Sequence, residues 1–244
     1  MITLRRARER HHDGRRRQQI WHTFGPHNGA GPLAGGFGTL ASVSEQQLPP
    51  GAVSAAHPHQ EAEIVTYVLK GALAQEDSSG RSGVVHAGEF QRMIVGRGIR
   101  HKETNASRSD WAHIFRISLR PAQVGPDAGC EQKRFAAALR HNVLCVVASP
   151  DGRQGSLRIL QDAVVFSSVL DPGHHIVHEL FPGRSAWLHV ISGEATLADL
   201  VLTRGDGVGV TAERSVSLTA TESTELLLVD VGPAPRSRAT GVAP

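Results

Sequence analysis

Short apolar runs ended by glycine or polar turns set the grammar of this chain. EIVTYVL, GVVHAGEF and WAHIFRISL fill the middle, and SLRIL, DAVVFSSVL, HIVHELF, SAWLHVISGEATLADLVL, GVGVTA, SVSLTA and ELLLVDV follow after residue 142. Such runs, rich in β-branched residues and too short for helices, are strands. Two of them are copies of one another. TYVLKGALAQED and LHVISGEATLAD each run apolar strand, Gly turn, strand, and each leads to a later Gly-acid turn, AGEF and RGDG. An internal repeat of this kind predicts an all-β protein built as two tandem double-sheet β-barrels of the jelly-roll kind.

A chain of 244 residues is long enough for two such units. Between them PAQVGPDAGCEQKRFAAALRHN begins with Pro and Gly and offers only FAAAL as a short helix. The expected division is an N-terminal domain over 1–122, a linker over 123–142, a C-terminal domain over 143–232 and a flexible tail over 233–244. The hydrophobic fraction of 40% excludes wholesale disorder. Cys130 and Cys145 are too few for a disulfide framework, and no signal-peptide core or long apolar run occurs, so the expectation is a cytoplasmic protein without membrane contact. The net charge of +3 is concentrated in RRARERHHDGRRR near the start. Without interleaved aromatics this segment reads as a solvated surface rather than a nucleic-acid contact.

Chemistry is concentrated in two short stretches. In HPHQEAE, His57 and His59 are two apart, and in GRGIRHKETN so are His101 and Glu103. Strand side chains alternate faces, so each pair points one way as a pincer. Pro58 stiffens the first pair, and Gly96 and Gly98 permit a turn that returns His101 to the barrel. Facing each other inside a barrel, the pincers offer three imidazoles and one carboxylate. That set holds a first-row transition metal with positions left open. The bland alternative is chance surface histidines, since the chain has 14. A second pincer on a later strand, also beside a Gly turn, favours the metal.

The spacing Gly51-x5-HPH-x3-Glu63, followed by Gly88-x7-Gly96-x-GIRHKE, resembles the paired motifs of cupins in the variant of the pirin family. IWHTFG, HPHQEAEIVTYVLKGALAQEDSSG, HAGEFQRMIVGRGIRHKE, CEQKRF and ASPDGRQGSLRILQD also resemble bacterial pirin-like quercetin 2,3-dioxygenases. The resemblance implies two cupin barrels with metal ligands His57, His59, His101 and Glu103 in the first. Glu63 stands where many other cupins have their carboxylate ligand; here it is expected to orient a ligand imidazole. Counting from Gly193 as the histidines stand from Gly71 lands on Glu179 and Phe181, so the second barrel is expected to lack a metal. His174, His175 and His178 read as surface or turn residues. His113, on the alternation of Trp111, Phe115 and Ile117, either faces the first barrel's interior or is a bonded core residue.

The implied activity is a dioxygenase that takes a flavonol-like phenol and O2, with Fe(II) fitting the ligand set best and Cu, Ni, Mn or Co as the other candidates. Glu103 is the candidate base for the phenolic proton. The rival from the same family is a metal-containing regulator that acts through a protein partner without turnover. P-loop, dinucleotide, HExxH and nucleophile-elbow motifs are missing from the sequence, which removes those enzyme classes.

Overall fold

The computed structural model describes residues 1–15, 17–24, 33–59, 62–78, 80–95, 99–122 and 128–233, with the backbone alone for residues 15, 54–59 and 99. Residues 234–244 of the expected tail, residues 123–127 of the expected linker, and the Gly96 and Gly98 turn lie outside them.

The chain forms two tandem cupin barrels, each a large sheet facing a small one. In the first, the large sheet runs Gly129–Arg134, Glu89–Ile94, Glu63–Lys70, Ala112–Leu119, Leu40–Leu48, Gln18–Phe24, His11–Arg15. The small sheet runs Val53–His59, Ile99–Asn105, Ala72–Asp77, Ser82–His86. In the second, Ile2–Arg5, Gly207–Thr211, Ser185–Ser192, Thr224–Val231, Ala163–Leu170, Cys145–Ser149, Leu157–Arg158 face His175–Glu179, Ser215–Ala220, Glu194–Leu197, Leu200–Thr203. From the second strand to the sixth of the large sheets, and throughout the small ones, the two orders correspond strand for strand, so the repeat read in the sequence is a repeat of topology. FAAAL contributes one helical turn, Ala137–Arg140.

The outermost strands cross the expected boundaries. Gly129–Arg134, assigned to the linker, pairs with Glu89–Ile94 and so extends the first barrel. Ile2–Arg5, assigned to the first domain, pairs with Gly207–Thr211 of the second. Each covers a sheet edge that would otherwise present unpaired backbone groups.

Both faces of the central strands of each large sheet are buried, which sorts alternate residues into different cores. On Ala163–Leu170, Val164 and Phe166 enter the second barrel, whereas Ala163 and Val165 join Phe24, Phe115, Trp187 and Val229 in a core between the barrels. Phe24 meets Trp187 edge to face at 4.7 Å in that core. The first barrel's own apolar cluster is small among the described residues: Leu48, Val68, Leu73, Val85, Ala112 and Ile114. Beside it the same interior holds buried polar side chains, Gln46, His101 and Glu103, and these position the site.

Candidate metal centre

His101 and Glu103 lie on Ile99–Asn105, in regular register with Ala72–Asp77. Two apart on a strand, they share a face, and both are buried, at 5% and 6% exposure. His101 Nε2 lies 3.6 Å from Glu103 Oε1. On the strand's other flank the backbone register sets His101 opposite His57 and Ile99 opposite His59. The His57 and His59 side chains themselves lie outside the described residues. Among the described residues no group of three or more His, Cys, Asp or Glu is gathered for a metal.

Glu103 is held from two sides. Gln75 Nε2 donates to Oε1 at 3.2 Å, and the Arg116 guanidinium donates to Oε2 and also to Gln46 Oε1. Burial alone raises a carboxyl pKa, but the Arg116 charge and the His101 contact prevail and bring Glu103 down to about 2. Glu103 is therefore an ionised carboxylate with one oxygen committed to Arg116 and the other turned to His101. A buried carboxylate beside an imidazole is a donor pair that suits a divalent transition ion. In the sequence Arg116 stands on an ordinary apolar–polar alternation that carries no mark of this role.

The second barrel supplies the contrast. By register, the places of His101, Glu103, Gln75 and Arg116 are taken there by Val216, Leu218, Leu197 and Leu228. All four belong to its apolar core. The same fold is filled with hydrocarbon in one copy and with charge in the other. Burying Leu is favourable by about 1.5 to 3 kcal/mol each, so a barrel that forgoes it for ionised groups carries them for another reason.

Other expected roles are corrected. Glu63 does not orient an imidazole; its carboxylate points the other way and accepts the Leu160 amide at 2.9 and 3.0 Å and the Gln161 amide at 3.1 Å, fastening the second domain to the first. Burial raises its pKa against the pull of those amides. His113 faces the seam between barrels, where Nε2 bonds Glu45 Oε1 at 2.8 Å, so the bonded core reading holds and the barrel-interior one does not. His178 is half-buried and bonds Asp230 at 2.8 Å instead of lying free on the surface. Register places it opposite Val216, so it, rather than Glu179, is the counterpart of His57. In the Arg-rich segment, Arg10 is buried against Glu45 at 2.7 Å and Arg6 pairs with Asp206 at 2.8 Å. Arg10 thus anchors the segment to the first barrel and Arg6 anchors it to the second, so neither is a free surface charge.

Comparison with known proteins gives a consistent picture. Residues 4–118 match the family described as Pirin, and residues 146–231 match the Quercetinase C-terminal cupin domain. The quercetin 2,3-dioxygenase of Escherichia coli strain K12 is 36% identical over 233 residues, covering 96% of this chain and 100% of that protein. A putative quercetin 2,3-dioxygenase of Pasteurella multocida strain Pm70 is 32% identical over 197 residues, 80% of this chain and 83% of its own. The crystal structure of YhhW from Escherichia coli superposes with a TM-score of 0.90 at 36% identity, over 96% of this chain and 98% of that one. The crystal structure of bacterial pirin YhhW in complex with nickel(II) gives 0.89, over 96% and 100%.

Proposed function

This chain belongs to the pirin family, and we propose that it is a metal-dependent dioxygenase of the pirin type that opens a flavonol such as quercetin with O2. The observation that carries the reading is the buried, ionised Glu103 beside His101, in register with His57, in a barrel whose twin is apolar at the same places. His57, His59, His101 and Glu103 would hold one divalent ion, iron by ligand preference and nickel by analogy with the nickel complex of the relative. When bound, that ion supplies Lewis acidity toward a phenolic hydroxyl and the redox exchange that O2 requires.

The chain's own residues prepare the place. Arg116 and Gln75 fix the Glu103 carboxylate before any ligand arrives, so little reorganisation is left. Glu103, the buried carboxylate beside His101, is the candidate to receive the hydroxyl proton. While Arg116 holds it at about 2 it is a weak acceptor, because an efficient base has a pKa near the working pH.

The test is metal analysis of purified protein, anaerobic reconstitution with Fe(II) or Ni(II), and an aerobic assay of quercetin loss. One ion per chain with turnover, and loss of both in His57→Ala and His101→Ala, is the expected result. Metal without turnover transfers the protein to the regulator reading, and failure to bind any ion removes the site.

A further inference from the structure

The duplication leaves a seam, and the seam contains a cavity of about 370 Å³ between the two barrels. Equivalent positions of the two halves wall it. Leu69, Lys70 and His113 line one side, and their counterparts by register, Ile191, Ser192 and Glu225, line the other. The backbone is repeated while the side chains have diverged, so a near-symmetric gap has acquired an asymmetric lining.

Charge at the seam is unevenly satisfied. Glu225 accepts from Arg140 at 2.8 Å and from the Tyr67 hydroxyl at 2.6 Å. Glu45 is matched by buried Arg10 at 2.7 Å and His113 at 2.8 Å. Arg204 reaches Glu45 only at 3.4 Å and keeps 58% of its side chain in solvent. Lys70, exposed on the opposite wall, forms no ion pair among the described residues. The cavity therefore carries one cation from each barrel, Lys70 without an ion pair among the described residues and Arg204 with only the long contact to a carboxylate that Arg10 and His113 already match. The buried Ile191 and Ala112 also line it, and Trp111 is half-exposed at the lining.

We propose that this cavity binds a small aromatic carboxylate. Its ring would lie against Trp111 and Ile191, and its carboxylate would bridge Arg204 and Lys70. The volume falls in the range of small-molecule sites, an indole and an aliphatic floor suit a planar ring, and a guanidinium with an ammonium suits a carboxylate. The site is distinct from the candidate metal centre. His113 lies on one face of Ala112–Leu119 and Arg116 on the other, so that strand separates them.

The experiment is calorimetric titration of the full chain with 2-naphthoate, with uncharged 2-naphthamide as control, on the native protein and on Lys70→Ala, Arg204→Ala, Trp111→Ala and His101→Ala. One saturable site is expected, weakened at least about tenfold by Lys70→Ala and by Arg204→Ala, the loss of one charge-assisted contact each. His101→Ala should leave it unchanged. Lys70 and Arg204 are exposed, so unchanged thermal midpoints are expected for their variants, and Trp111→Ala tests the ring contact independently. Three results would overturn the proposal: no saturation at millimolar naphthoate, equal binding of the amide, or binding lost in His101→Ala and retained in Arg204→Ala.

Discussion

Arg116 is the residue on which the site's electrostatics turn. A buried carboxylate deprived of its cation is left uncompensated, so Arg116→Leu should cost the metal-free protein about 3 kcal/mol. The added charge of a divalent ion would then replace the missing cation. Thermal melts with and without Ni(II) should therefore show a lower midpoint in the variant and a larger metal-induced rise than in the parent. The His101 and Glu103 pair was legible because two residues apart on a strand means one face, whatever surrounds it. Arg116 was not legible for a related reason. In HIFRISL the polar positions Arg116 and Ser118 alternate with Phe115 and Ile117, which ordinarily marks a solvent face. Here the apolar face meets the other barrel and the polar face lines the first barrel's interior. Alternation tells which residues share a side, but not which of two buried sides is the polar one.

At the scale of elements, the turns were the most readable feature and the edges the least. Gly71 and Gly193, equivalent in the repeat, sit at φ of +74° and +81°. A Cβ on either would lie 2.7 Å from the Trp111 carbonyl oxygen or 2.2 Å from that of Ser223. Gly193→Ala should thus lose more than about 2 kcal/mol, left-handed strain plus a backbone collision. Gly183→Ala, with a similar φ of +83° and nothing within 4 Å, should lose only the strain. Denaturant titration of the two variants distinguishes the terms. Edge assignment escaped the sequence because pairing partners are set by tertiary packing, and GCEQKR and ITLR carry no signal naming the sheet each joins.

For the whole molecule, the seam decides how the two barrels behave together. A shared apolar core, the Glu63 clamp on Leu160 and Gln161, and the Arg204 contact with Glu45 all cross it. His189 lies there too, fully buried. Burial, with Arg10 adding to it against Glu45 and Asp206, lowers its pKa from 6.5 to about 4. The unfolded chain then binds a proton that the native state refuses, so stability falls as pH drops from about 6.5 toward 4, by about 3 kcal/mol from this group. Calorimetry should show one cooperative transition whose midpoint declines over that window, and His189→Leu should flatten the decline.

The pairing of Ile2–Arg5 with Gly207–Thr211 also orders events in time. During synthesis residues 2–5 leave the ribosome about 200 residues ahead of their partner, at roughly 5 to 20 residues per second a wait of some tens of seconds. The first barrel has its own sheets by then, but the opening strand has nowhere to dock. The second barrel's large sheet gains its outer strand from a segment made long before the rest of it.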